Sequence, residues 1–252
     1  MITTDIDAAG IATITMDNPP VNALNVAGWF DLADQLLAAG RNSEVRVVIL
    51  TAAGKGFNAG VDIKEMQATE GFDALVGANR GCFAAFAAVY DCEVPVIAAV
   101  NDFCLGGGIG LVGNADIIVS AEGVPFGLPE VDRGALGAAT HLARLVPQHK
   151  MREMVYTARP ITAEQLHEYG SVTAVVPADQ VMAKAREIAE DIATKSPTIL
   201  RAAKASLNGI DPVDVKRSYR YEQGFTFELN LTGVSDEARD AFVEKRDADT
   251  SK

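Results

Sequence analysis

The sequence predicts an α/β fold with largely parallel strands. Three observations carry this. Apolar runs of strand length, at 46–51, 94–100 and 116–121, alternate with helical patterns up to about residue 145. Two of these runs leave through glycine-rich turns that open into helix, the layout of a β-α unit. The length of 252 residues, 48% of them hydrophobic, suits one large domain with a real core.

In order, residues 2–7 and 11–16 read as two strands joined at Ala8-Ala9-Gly10, a hairpin. Asp17 to Asn25 is a loop, because Pro19 and Pro20 exclude helix. A helix is expected over 26–39, with Trp29, Leu32, Ala33, Leu36 and Leu37 at helical spacing and Gly40 as its stop. The strand at 46–51 runs into a stretch crowded with Gly54, Gly56 and Gly60, and Asp62 opens a helical segment. A small-residue helix covers 78–88, the strand at 94–100 follows, and Gly106-Gly107-Gly108 leads into a helix-like run at 109–114. After the strand at 116–121, the segment 125–131 reads as a loop before a helix near 138–145. From Met151 onward the pattern is nearly all helix, with a capping box at Thr162-Ala-Glu-Gln165 and helices over 179–195, 213–228 and 236–245.

The formal charge of −12, with no Lys/Arg run, argues against nucleic acid and anionic membranes as partners. Met1-Ile-Thr-Thr-Asp5 lacks a basic leader, and no apolar stretch reaches spanning length, so a cytoplasmic protein is expected. Cys82, Cys92 and Cys104 lack metal spacing and read as buried reduced thiols, with a reactive role open for Cys104 beside the glycine turn.

A strand, a triple glycine and a helix start make a plausible oxyanion site, since unpaired N–H groups and the helix dipole point there. Such a turn is also often only a tight turn. Further motifs decide between these readings. Phe57-Asn-Ala-Gly-Val-Asp-Ile-Lys64, Ala98-Ala-Val-Asn-Asp-Phe-Cys-Leu-Gly-Gly-Gly108, Phe126-Gly-Leu-Pro-Glu-Val131 and Ala241-Phe-Val-Glu-Lys-Arg246 occur in the order and spacing of one family. On these motifs the chain resembles the enoyl-CoA hydratase/isomerase (crotonase) superfamily over residues 2–246. More narrowly, it is similar to the ring-opening acyl-CoA hydrolases of actinobacterial steroid (cholesterol) degradation. That likeness is carried by 57–66, by Asn79-Arg-Gly-Cys-Phe-Ala-Ala-Phe86, by 127–131 with 133–141, and by Glu222-Gln-Gly-Phe-Thr-Phe-Glu-Leu-Asn230.

The resemblance implies a spiral of repeated β-β-α turns, with residues 1–195 as the core that binds a CoA thioester. It implies residues 196–252 as a helical region for trimerisation and pocket cover, in a trimer or dimer of trimers. It implies that the N–H groups of Val61 and Gly107 hold the thioester oxygen, where side-chain identity matters little. Coenzyme A, part of the substrate rather than a cofactor, falls against Ala23, Leu24, Ala59, Asp62, Ile63, Lys64 and Gly106, with Phe242 and Lys245 reaching a CoA on a neighbouring subunit. Lys64 and Lys245 also read as ordinary surface lysines.

The chain departs from a hydratase at one point. The family's hydratases use two glutamates; here one position holds Gly110 and the other holds Glu130. Gly110 is expected to free volume for a bulky ring, or to serve close helix packing. Glu130, in a Gly/Pro-rich apolar loop, is expected to be a base with a raised pKa. His141 is a further departure; it reads as a group that positions water or donates a proton, or as a surface or interface histidine. Asp132 and Arg133 are expected as an ion pair at the pocket rim, with reach into the pocket as the alternative. His149 and His167 are expected on the surface, and the sequence leaves open which acid, if any, replaces the missing glutamate, Glu222 and Glu228 being conceivable.

The activity so implied is hydrolytic, retro-Claisen opening of a ring in a bicyclic keto-enone CoA thioester, with no metal or redox cofactor. The rivals are a Δ3,Δ2-enoyl-CoA isomerase, for which one carboxylate suffices, and an acyl-CoA-binding protein without turnover.

Overall fold

The computed structural model describes residues 1–248; the last residues of the predicted helical region, 249–252, lie outside the described residues. The chain opens with β1 (Ile2–Ile6) and β2 (Ile11–Met16), an antiparallel hairpin, and crosses through α1 (Val26–Arg41) to β3 (Val47–Ala52). Two helices follow, α2 (Ile63–Ala68) and α3 (Asp73–Asp91), then β4 (Val96–Val100), β5 (Cys104–Leu105) and α4 (Gly107–Val112). Next come β6 (Ile117–Ala121), β7 (Pro125–Gly127), a 3-10 turn at Glu130–Arg133, α5 (Ala139–Leu142) and α6 (Gln148–Thr157). The remainder is β8 (Ile161–Thr162), α7 (Ala163–Glu168), β9 (Ala174–Val176), α8 (Val181–Ala193), α9 (Pro197–Gly209), α10 (Val215–Leu231) and α11 (Val234–Glu244).

Six strands form the main sheet in the order β1-β2-β3-β4-β6-β9, parallel except for the opening hairpin. Every residue of β3 and β4 is buried, which is why both read as unbroken apolar runs rather than alternating ones. The second sheet, β5-β7-β8, has two-residue and three-residue strands, and Asn58 extends it through a parallel bridge to Cys104. The chain therefore alternates between sheets. One main-sheet strand is followed by one short strand and a helix: β3 with Asn58, β4 with β5, β6 with β7. This is the expected β-β-α spiral, although no sequence repeat marks it.

Four sequence expectations need correction. Gly40 does not end α1, which continues to Arg41. Its role is close approach: a Cβ there would lie 3.0 Å from Cys92 Sγ and 3.0 Å from the Glu93 amide. The segment 125–131 is not a plain loop, since it holds β7 and the start of the 3-10 turn. The region after Met151 is not all helix, because β9 adds the far edge of the main sheet beside β6. The helix expected over 138–145 is the short Ala139–Leu142. All three cysteines are free and buried, and burial pushes the Cys104 thiol well above its ordinary value, so Cys104 is a core residue. No described helix is long and apolar enough to cross a membrane.

Candidate active site

The loop that leaves β3 is fastened from below by two buried asparagines. Asn22 Nδ2 donates to the carbonyls of Ala53 (2.9 Å) and Gly56 (2.8 Å). Asn58 Nδ2 donates to the Asn22 carbonyl (2.7 Å), and Asn58 Oδ1 accepts from the Gly60 N–H (2.9 Å). The Leu24 N–H donates to the Gly60 carbonyl, and the Asp62 N–H donates to the Leu24 carbonyl, both at 2.9 Å. That parallel bridge uses the groups on either side of Val61. Since N–H directions alternate along an extended chain, the Val61 N–H faces away from Leu24.

The loop around Val61 lies against the second junction. Leu105 N–H donates to the Asn58 carbonyl (2.9 Å), which draws the triple glycine against Gly60. Gly107 is the first residue of α4, so its N–H has no carbonyl acceptor within its own helix. A Cβ built on Gly60 would lie 3.1 Å from the Gly107 nitrogen, so the two junctions touch. Gly106 holds φ +57, with Glu130 Oε1 packed where its Cβ would be, at 2.8 Å. Side-chain identity does matter at Gly107, contrary to the sequence reading. A Cβ there would stand 2.7 Å from the buried Trp29 ring and 3.2 Å from Gly60 Cα.

Glu130 opens the 3-10 turn after Pro129. Its Oε2 is buried and has no hydrogen-bond partner. Loss of water around the carboxyl pushes its pKa up to about 8, against an opposing pull from its own backbone N–H. The charge of Glu222 raises it further, and that of Arg133 lowers it. A cavity of about 140 Å³ opens here, and Glu130, Val61, Gly107, Gly106, Ala59 and Ile63 all line it. Seven predicted positions are thus accounted for with Asp62, whose side chain caps α2 by accepting from the Lys64 N–H (3.0 Å). Lys64 itself is exposed. The Ala23 carbonyl accepts from Asn18 Nδ2 just outside this loop.

Gly110 and His141 do not belong to the cavity lining. Gly110 is buried in α4, and a Cβ there would lie 2.3 Å from the Phe86 ring, so Phe86 and not substrate occupies the room that glycine leaves. His141 is neither a pocket group nor a surface one. It is 1% exposed and packs behind that ring, with centroids 5.1 Å from Phe86 and 4.9 Å from Tyr219. Asn114 Nδ2 is committed to the Phe86 carbonyl (2.9 Å), so its Oδ1 accepts from His141 Nδ1–H at 3.2 Å. Burial first, and the nearby Arg144 charge second, press the imidazole pKa down to about 3. The ring is therefore a neutral core group across the working pH range.

Nor does either alternative acid replace the missing glutamate. Glu222 caps α5, accepting from the N–H groups of Ala139 (2.8 Å) and Thr140 (3.1 Å) and from Thr140 Oγ1 (3.0 Å). Glu228 is exposed. Arg133 lines the cavity instead of pairing with Asp132, and Phe242 of α11 lies under its guanidinium, 3.3 Å from carbon to ring centroid. Lys245 is exposed at the end of α11 with φ +56. His149 and His167 are exposed as expected.

The sequence reading missed how much of the lining comes from two helices. Leu75, Ala78, Asn79, Cys82 and Phe86 of α3 turn one face to the cavity, a periodicity legible in the sequence without saying what it faces. Tyr219, Thr226 and Asn230 of α10 close the opposite wall, and Arg239 of α11 joins them. So helices of this chain's own C-terminal region cover this chain's own pocket.

The arrangement brings two touching glycine junctions and one desolvated carboxylate to a single cavity, which suits chemistry through an enolate. The comparisons agree. A hydrolase of Rhodococcus jostii, named for (7aS)-7a-methyl-1,5-dioxo-2,3,5,6,7,7a-hexahydro-1H-indene-carboxyl-CoA, is 67% identical over 243 residues, covering 96% of this chain and 94% of that protein. A hydrolase of the same name from Mycobacterium tuberculosis is 64% identical over 244 residues, 97% of this chain and 99% of that protein. The solved carnitinyl-CoA hydratase of Mycobacterium avium superposes with a TM-score of 0.87 at 32% identity, over 99% of this chain and 98% of that one. The profile of the enoyl-CoA hydratase/isomerase family matches residues 7–251, and with the paired glycine junctions and Glu130 in place, the chain belongs to that family.

Proposed function

We propose that this enzyme hydrolyses a carbon–carbon bond in a bicyclic keto-enone CoA thioester of steroid breakdown, opening the five-membered ring. The observation that carries the reading is a desolvated carboxylate, Glu130, beside the Val61 and Gly107 junctions, with no second acid among the described residues of the lining. The compound for which the two hydrolases are named supports it, since its 1,5-dioxo bicycle contains such a ring ketone.

In this mechanism Glu130 takes a proton from water, and the water oxygen bonds to the ring ketone carbon. The bond from that carbon to the ring-fusion carbon breaks. Its electron pair delocalises through the enone to the thioester oxygen, where Val61 N–H and Gly107 N–H receive the charge. Glu130 returns the proton to carbon, so one water is added and a carboxylate appears while CoA stays attached. The desolvation that raises its pKa makes Glu130 a stronger base once ionised. A base and an oxyanion pair complete this equipment, and it calls on no metal or redox cofactor. Lys64 and Ala23 are assigned to the CoA portion.

Assembly into a trimer or dimer of trimers in the cytoplasm belongs to the same reading, with residues 196–252 supplying contacts as well as pocket cover. Large apolar side chains left exposed on that region, among them Ile199, Leu207, Ile210, Tyr221 and Leu231, support it. Light scattering tests it, and a monomer at micromolar concentration refutes it.

The activity is tested by mass spectrometry of the bicyclic ester incubated in ¹⁸O water. A gain of one water, with heavy oxygen in a new carboxylate and loss of product in Glu130→Gln, is expected. An unchanged mass, with new conjugation only, overturns the reading in favour of an isomerase.

A further inference from the structure

Arg133 feels the charges of Glu130 and Asp132 but makes no direct bond to either. Its guanidinium lines the cavity, yet no ion pair and no hydrogen bond to a protein acceptor is made by its five N–H donors among the described residues. A half-buried cation left this way is costly unless a ligand supplies the acceptors. The other arginine of the cavity differs. Arg239 Nη1 donates to Asn230 Oδ1 (2.6 Å), and Nη2 is paired with Asp236. The contact Arg133 does have is with the Phe242 ring, face on, at 3.3 Å from the centroid. A cation on a ring face is held in its plane while its N–H edge stays free, so Phe242 fixes the fork without consuming it.

Position along the chain gives the fork a target. Arg133 is the last residue of the 3-10 turn that Glu130 opens, and residues three apart on such a turn lie above one another. The base and the free guanidinium therefore project from one short turn into one cavity. Hydrolysis of a ring ketone next to an acyl-CoA creates negative charge in two places. The Val61 and Gly107 N–H groups serve the thioester oxygen, and the oxygen of the attacked ketone needs donors of its own.

We infer that Arg133, stacked on Phe242 beside Glu130, is the second oxyanion site: it binds the ring-ketone oxygen of the substrate and then, as a fork, the carboxylate the reaction creates. This rests on the ring-opening reading above. Arg133 would touch the reacting atoms, and Phe242 is its positioning residue. The carboxylate product suits a planar fork better than a point charge, so lysine is a poor substitute.

The test pairs each variant with two esters, the bicyclic diketone and its analogue lacking only the five-ring ketone. For Arg133→Met the expected result is a drop in kcat/KM on the diketone of about 10²–10³-fold, carried by kcat. Affinity for the analogue should stay within about threefold of wild type, while affinity for the ring-opened product falls about tenfold, a charge-assisted pair's worth. Arg133→Lys should fold as wild type and recover part of kcat, and Phe242→Leu should show a smaller loss of the same ketone-dependent kind. Equal losses of affinity for both esters, or wild-type turnover in Arg133→Met, would overturn the assignment while leaving the ring-opening reading intact. If wild-type enzyme adds no water to the diketone, the reading itself fails and the assignment falls with it.

Discussion

Replacing Glu130 by glutamine should stop the reaction and, at alkaline pH, stabilise the protein. The carboxyl is pushed from 4.5 to about 8 by burial, and its Oε2 has no partner to offset the lost water. Below pH 4.5 the group is protonated in folded and unfolded chains alike and carries no penalty. Between 4.5 and 8 the unfolded chain has released its proton while the folded one holds it. The folded state then binds more protons, so stability falls with rising pH, by about 1.4 kcal/mol per unit. The full penalty, reached above pH 8, is about 5 kcal/mol, and at pH 5 it is below about 1 kcal/mol. Glutamine keeps the shape and never ionises. Urea unfolding of both proteins at one fixed concentration should therefore show Glu130→Gln about 3–5 kcal/mol more stable at pH 9 and nearly level at pH 5. A stability difference that is the same at both pH values would refute the reasoning, because it would mean that the carboxyl is solvated in the folded protein.

Three further outcomes are expected. The pH profile of kcat/KM should rise with unit slope and level off near pH 8, where free-enzyme Glu130 ionises; a plateau already reached at pH 6 would contradict this. Gly110→Ala should cost about 1–3 kcal/mol through the Phe86 ring 2.3 Å from the new methyl, and much less in a Phe86→Ala background, so a double-mutant cycle that adds without coupling would exclude the contact. His141→Asn should lower the melting temperature yet leave the shape of the pH–rate profile unchanged, because the imidazole ionises only near pH 3; loss of one limb of the profile would return it to the chemistry.

The parts of the site that follow from local backbone chemistry were legible in the sequence. The two strand–glycine–helix junctions and the Gly-x-Pro-Glu turn stand out as short motifs, and the family resemblance assigns Val61, Gly107 and Glu130 to them, although Asn22, Leu24 and Leu105 hold the first junction from far along the chain. What was not legible depends on packing between distant segments. Trp29 of α1 lies under Gly107 and Gly60 presses from the other junction, and these contacts make glycine necessary there. Phe86 of α3 fills the room beside Gly110, and Tyr219 of α10 closes over His141, at separations no periodicity reports. Arg133 was read as an ion-pair member because an acidic residue precedes it, whereas Phe242, far along the chain, takes that place. The strands β5, β8 and β9 escaped because two or three residues give no alternation to read.

The alternation between sheets has a consequence for how the chemistry is spaced. Asn58, Cys104 and Phe126 sit side by side in the second sheet, paired in parallel. Val61 and Gly107 each come three residues past their paired position, and Glu130 comes four past Phe126. The three groups thus follow the same edge of the second sheet, one per lane, where paired strands lie about 4.8 Å apart. An oxygen accepting two N–H bonds of about 2.9 Å needs donors roughly that far apart. In the proposed reaction, the peptide ladder would therefore set the lanes of the thioester-oxygen donors and, one lane over, of the base. In the proposed reaction a change of substrate would accordingly fall to the helices that roof the cavity, while backbone hydrogen bonding keeps the three lanes in place.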